Sequence, residues 1–212
     1  MMEILKKIAE NLVQGNKDIV QALVKEAISA AVAPQDILNK GLIAGMDVVG
    51  EQFRIHEIFL PEVLMAAQAM TAGMNELKPL LIREGAQAMG RVVLGTVQGD
   101  IHDIGKNLVG VMLRGAGFEV IDLGNDVAPD KFISTAVKEK AQIIGMSSLL
   151  TTTMPAMKEV ADLLKTKGLN RKIKTIIGGA PVTAEYAKEI GADDYGYDAM
   201  NAVERVKKMI RS

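Results

Sequence analysis

The 212-residue chain has no cysteine and no tryptophan. Without a thiol there is no disulfide, no thiolate nucleophile, no iron–sulfur cluster and no thiolate zinc site. Histidine is nearly as scarce, and any imidazole chemistry has two candidates, His56 and His102. A charge excess of one sign is missing too: 25 Lys and Arg stand against 26 Asp and Glu, a net charge of -1. A phosphate-backbone binder needs a basic surplus, so nucleic acid is not an expected partner. No apolar run approaches the ~20 residues of a membrane span. Glu3, Lys6, Lys7 and Glu10 interrupt the first apolar residues, which do not read as a secretory signal. A cytoplasmic protein with no membrane partner is expected. What the chain does have is 49% hydrophobic and 24% charged residues, the composition of a globular fold with a real core.

The hydrophobic pattern changes period partway along. Up to about residue 82 it is helical: Ile4, Leu5, Ile8 and Leu12, then Leu23, Val24, Ala27 and Ile28 after a break at Gly15-Asn16. Asn16 is expected to cap the second helix. Pro34 opens a third, where a missing amide costs nothing, and a fourth starts near Pro61. Four short-linked amphipathic helices predict a four-helix bundle over residues 1–86. Pro79 and the stretch from Arg83 to Gln87 read as its end and a linker.

Residues 87–212 alternate instead between β-like runs and helical stretches. The runs are 92–97, 118–123, 143–147, 173–177 and a weak one at 194–197. The intervening helices fall at about 105–115, 130–140, 154–167, 183–190 and 199–210. This α/β alternation predicts a doubly wound, five-stranded parallel sheet of the flavodoxin or Rossmann-like kind. Ligands of such sheets bind beyond the carboxyl ends of the strands. Attention therefore falls on the loops after Val97, Ser147 and Ile177.

The first of these loops, Gly99-Asp100-Ile101-His102-Asp103-Ile104-Gly105-Lys106-Asn107, has glycine on both sides of an imidazole. Its glycine spacing is not that of a phosphate loop, and no Gly-x-Gly-x-x-Gly fingerprint occurs in the turn. A metal-ligating histidine commonly donates its other ring N–H to a carboxylate, and Asp100 is suitably placed to receive it. One histidine cannot cage a bare ion, but it suffices for a metal that arrives with its own equatorial ligands.

Asp100-x-His102-x-x-Gly105, followed by Ser147-x-Leu149 and then Gly178-Gly179, resembles the cobalamin-binding signature of corrinoid proteins and cobalamin-dependent methionine synthase. The three pieces follow three predicted strands in chain order. Phe59-Leu60-Pro61-Glu62-Val63 is similar to the helical cap of methyl-carrying members, so the likeness spans nearly the whole chain. It implies a cobalamin bound with its own base displaced, His102 as lower cobalt ligand, and the detached nucleotide tail in a slot between sheet and helix. Ser147 would bond a buried base nitrogen, Gly178 and Gly179 would leave room for the tail, and Thr151 would line its pocket. Thr153 would complete a His–Asp–hydroxyl relay with Asp100, although methionine synthase carries Ser there. Gly99, Ile101, Gly105 and Leu149 would complete the cofactor contacts, while Asp103 is either a contact to the corrin rim or an N-cap. Phe59, with Val63 or Met65, would supply an apolar lid. The family's chemistry implies a methyl carrier working with a substrate-specific corrinoid methyltransferase, a methyl-acceptor methyltransferase and a reductive activase. It is not a complete catalyst alone, and no catalytic residue is expected.

A radical-mutase subunit and a cobalamin sensor share the signature. The first does not need the helical cap, and the second needs an output module for which the chain leaves no room. The donor, whether methanol, a methylamine, a quaternary amine or a methoxylated aromatic, stays open, as does the acceptor, a tetrahydrofolate or a thiol. His56, in the charged stretch 54–57, reads as a solvent-facing loop residue. Met65, Met70 and Met74 read as helix packing rather than a metal box.

Overall fold

The computed structural model describes residues 2–83 and 88–211. The chain divides into two compact units, Met1–Ala88 with Gly115–Gly117, and Met89–Arg114 with Phe118–Ser212. The expected boundary at residue 86 and the linker residues 84–87 lie outside the described residues.

The first unit is helical. It contains α1 (Met2–Val13), α2 (Lys17–Ser29), α3 (Pro34–Asp36), a π-helical segment (Ile37–Ile43), α4 (Ala44–Arg54) and α5 (Leu60–Arg83). Helix α2 lies along α5, and α1 along α4 and the π segment. Ile8, Leu12, Val20, Val24, Leu42 and Leu77 are fully enclosed between them, each worth about 1.5–3 kcal/mol of burial. Three expectations need correction. Asn16 sits at the N-cap of α2 without a side-chain bond to the helix, and its amide donates to Asn11 Oδ1. The third helix is not uniformly α: burial of Ile37, Gly41 and Leu42 demands a wider turn than 3.6 residues, and the backbone supplies a π segment. Pro79 does not end α5, which continues to Arg83. Leu77 and Leu81 are buried on either side of it, and that burial offsets the lost hydrogen bond.

The second unit is a five-stranded sheet of order β2-β1-β3-β4-β5, parallel throughout. The strands are β1 (Arg91–Thr96), β2 (Glu119–Asp122), β3 (Ile143–Ser147), β4 (Lys174–Gly178) and β5 (Asp194–Gly196). Between and after them come α6 (Ile104–Gly115), α7 (Pro129–Lys138), α8 (Pro155–Thr166), α9 (Ala184–Ile190) and α10 (Ala199–Arg211). The predicted doubly wound fold is the observed one. On one face, Val93, Ile144, Met146 and Ile177 meet Phe132, Met157, Val160 and Leu164 in a continuous apolar cluster. Helix α6 covers the other face, close enough that a side chain at Gly110 would touch Leu94. Strand order reverses between β1 and β3, so the loops following those two strands flank the switch point.

A braced imidazole beside a cavity

The loop after β1 is held from several directions. Gly99 takes φ 83, a left-handed turn open to glycine. Its N–H donates to Asp126 Oδ1 at 2.7 Å, and the Asp126 N–H returns a bond to the Asp100 carbonyl at 2.9 Å. The Asn125 amide donates to the Ile101 carbonyl, and Thr96 Oγ1 donates to that of His102 at 3.0 Å. Asp103 occupies the N-cap position of α6, its carbonyl accepting from the Asn107 N–H at 2.7 Å.

Asp100 is completely buried and is the centre of the site. Its Oδ1 accepts from the backbone N–H of His102 at 3.0 Å and lies 2.7 Å from His102 Nδ1. Its Oδ2 accepts from the Leu149 N–H at 2.7 Å, the Leu150 N–H at 3.3 Å and Thr153 Oγ1 at 3.1 Å. Burial alone would push this carboxyl up. The bonds from the His102 and Leu149 backbone, then from the His102 and Thr153 side chains, outweigh it and hold Asp100 well below the usual carboxylate range. An ionised carboxylate only accepts, so Nδ1 carries a ring proton, and in the neutral imidazole the lone pair is on Nε2. The His102 side chain keeps 48% of its exposure, and around it Ile101 and Ile104 are 72% and 75% exposed. Leu149 adds a further exposed apolar side chain.

Beside this loop a cavity of about 240 Å³ opens between the sheet and its covering helices. Leu94, Gly145 and Ile176 form its floor, while Val109 of α6 and Ala202 of α10 form its walls. Ser147, Gly178, Gly179 and Gly105 also border it. Ser147 is half-buried at the end of β3, and its carbonyl accepts from the Val97 N–H. A side chain at Gly105 would meet nothing within 4 Å. Gly178 and Gly179 have reasons for being glycine other than leaving room for a tail. A Cβ on Gly178 would lie 2.9 Å from the Gly196 carbonyl oxygen, and one on Gly179, at φ 129, would lie 1.8 Å from that of Ser148.

Thr151 is exposed in the turn 151–154 and is not part of the cavity wall. Phe59 is 67% exposed just before α5, its N–H donating to Glu62 Oε2 in half of a capping box. Val63, offered as a lid residue, is fully enclosed within the helical unit, whereas Met65 is exposed. Met70 is buried and Met74 half-buried, as helix packing requires, but the exposed Met65 is not a packing residue, and His56 is exposed in a turn at φ 62.

Three features escaped the sequence reading. Ser148 is fully buried and touches Thr153 Oγ1 at 2.8 Å; the Ser147-Ser148 pair was its signal, since neighbouring strand residues face opposite ways. Gly145 leaves the centre of the cavity floor without a side chain. Lys106 is buried with its ammonium 2.7 Å from both oxygens of Asp122 and 2.6 Å from Asn107 Oδ1, so its charge is answered on the spot.

A doubly wound sheet with one braced imidazole and an adjoining slot has the parts to bind a metal carried in a macrocycle. Among the described residues no group of three His, Cys, Asp or Glu side chains gathers to cage a bare ion. A single free Nε2 in an apolar surround nevertheless fits a metal whose equatorial positions are already filled, and the slot fits a pendant group. Comparison with known proteins agrees. Two B12 binding domain models match, at residues 90–204 and 4–78. Dimethylamine corrinoid protein 1 of Methanosarcina acetivorans is 46% identical over 98% of both chains. Trimethylamine corrinoid protein 1 of the same organism is 41% identical over 98% of this chain and 97% of its own. Among solved structures, one of the methanol:cobalamin methyltransferase complex from Methanosarcina barkeri matches 99% of this chain and 80% of its own, with TM-score 0.89 and 35% identity. A cobalamin-binding protein from Desulfitobacterium hafniense matches 97% of this chain and 98% of its own, with TM-score 0.79 and 33% identity. The chain belongs to the methyltransferase corrinoid proteins, and its cofactor is a cobalamin-type corrinoid.

Proposed function

We propose that this protein carries a methyl group on corrinoid cobalt between a substrate:corrinoid methyltransferase and a second, methyl-accepting methyltransferase, with a reductive activase restoring the cofactor after oxidation. The observation that carries the reading is the buried Asp100 fixing the His102 tautomer with Nε2 free. Support for the partners comes from relatives named for methylated amines and from a solved neighbour that is a methanol:cobalamin methyltransferase complex. Bound cobalt supplies a centre that takes up and releases a methyl group; the hard chemistry is the cofactor's.

The protein's own residues set the conditions. His102 Nε2 would ligate cobalt in place of the cofactor's base. Asp100 holds the Nδ1 proton and raises the basicity of the ring, so the ligand strengthens without reorientation. Thr153 feeds the second carboxylate oxygen and completes the relay. Ile101, Ile104 and Leu149 are exposed apolar side chains that would face the macrocycle and shed their water against it when it binds. Ser147 and the slot over Gly145 would receive the tail.

The test is the histidine. Reconstituted with hydroxocobalamin and reduced to cobalt(II), protein carrying ¹⁵N-histidine should show cobalt hyperfine lines split by one protein nitrogen. His102→Ala should lose that splitting, the base-off/His-on visible spectrum and methyl transfer. An unchanged spectrum and undiminished transfer in the variant would overturn the proposal.

A further inference from the structure

We infer that Ser148 is a positioning residue that steers the Thr153 hydroxyl onto Asp100 and so sets how firmly the carboxylate holds the His102 ring. The inference deepens the proposed function and rests on it for the meaning of the ring's orientation. Its basis is a count of protons and acceptors in a pocket closed to water on the Ser148 side.

Two hydroxyls share two acceptors there. Thr153 Oγ1 lies 3.1 Å from Asp100 Oδ2 and 2.9 Å from the Leu150 carbonyl oxygen. Ser148 Oγ lies 3.0 Å from the same carbonyl and 3.5 Å from the same carboxylate oxygen. The two hydroxyls are 2.8 Å apart. Each hydroxyl has one proton to give. The Leu150 carbonyl already accepts from the Thr153 N–H at 3.1 Å, and Ser148 donates to Thr153 Oγ1, the oxygen nearest to it. That bond fills the Thr153 oxygen from the buried side and turns the Thr153 proton to Asp100. Without the Ser148 hydroxyl, the single Thr153 proton has a choice between two acceptors, and the closer one is the carbonyl. Asp100 Oδ2 then loses its side-chain donor, and the carboxylate draws harder on the His102 Nδ1–H through Oδ1. Ser148 never touches the ring; it acts three hydrogen bonds away.

The chain's two histidines make the ring nitrogens readable by ¹⁵N NMR of the apoprotein, with a His56→Gln background leaving one imidazole. Ser148→Ala should move the His102 Nδ1 resonance downfield, as a stronger hydrogen bond does, and Thr153→Val should move it equally. The double variant should move it no further, since both substitutions remove one interaction. Thr153→Ser keeps the hydroxyl and should leave the wild-type position. Affinity of the apoprotein for hydroxocobalamin should rise in Ser148→Ala, by up to about fivefold, the scale of one hydrogen bond, because the more strongly held ring is the more basic ligand. If the alanine variant does not fold, Ser148→Cys, with a weak donor, should give a smaller downfield shift. An unmoved Nδ1 resonance in the folded Ser148 variant, or additive shifts in the double variant, would overturn the inference. Failure of the ligand reading has a separate signature: wild-type cobalt(II) protein would then lack the histidine-nitrogen splitting, whatever the apoprotein resonances do.

Discussion

The two faces of the sheet are made from the same five strands and have opposite interiors. On the face of Val93, Ile144 and Ile177, large side chains from α7 and α8 close every gap, and Phe132 lies so tightly on β1 that only glycine fits at residue 95. On the face of Leu94 and Ile176, the central strand offers Gly145, and α10 answers with Ala199 and Ala202. Strand alternation lets adjacent residues serve the two ends separately. Both faces bury apolar side chains, Val92, Ile143 and Val206 among them outside the filled cluster, but the second keeps a cavity. A closed interior and a binding slot therefore coexist within a single sheet, one residue apart in sequence.

The contrast breaks most visibly at Phe132. Phe132→Ala removes a fully enclosed ring from the filled face and should destabilise the protein by about 3–5 kcal/mol, read as a lowered denaturation midpoint. The slot faces the other side, so the fraction that stays folded should bind hydroxocobalamin with wild-type affinity. A parallel loss of affinity in that fraction would show that the faces are not independent. Val109→Phe makes the complementary change by filling the open side. It should leave the denaturation midpoint within about 1.5 kcal/mol of wild type, because the ring enters existing space rather than a packed core. Its expected effect is on binding: affinity for cobalamin should drop at least about tenfold, equivalent to about 1.4 kcal/mol. Affinity for cobinamide, which has no nucleotide tail, should not change. Equal losses for the two corrinoids would mean that the slot does not receive the tail.

The same contrast explains what could be read from the sequence. The filled face is written in apolar periodicity, and β3 begins and ends at the predicted residues, 143 and 147, because its burial pattern is continuous. The imidazole and its carboxylate were legible because they lie two residues apart in one loop, so local spacing carries them. Ser148 was not, since its importance arises from a contact with a loop 48 residues earlier, and a serine at a strand end has many commonplace uses. Gly179 was legible as a glycine but not for its reason, which is a backbone carbonyl pressed against it from the loop after β3. Pro79 misled because a proline's local cost is visible in sequence, whereas the burial of Leu77 and Leu81 that outweighs it is a tertiary fact.

The smallest expected effect concerns how the filled face treats a polar group. Tyr186 packs its ring against that cluster and donates its hydroxyl proton to the Met154 carbonyl at 2.8 Å. Burial, reinforced by the charge of Glu189 and opposed by Lys158, pushes its phenol above the ordinary value. The folded state therefore keeps its proton at a pH where the unfolded chain, near 10, has begun to release it. Above about pH 10 the unfolded state binds fewer protons than the folded one, and the linkage slope makes stability fall as pH rises. Tyr186→Phe should cost about 1 kcal/mol at neutral pH, the net worth of one hydrogen bond. The variant cannot ionise at this position, so the gap between it and wild type should shrink as pH climbs past 10. Urea denaturation at pH 7 and pH 10.5 measures both quantities. A gap that stays constant would mean the phenol titrates alike in both states, and the filled face would then be less closed around Tyr186 than its packing indicates.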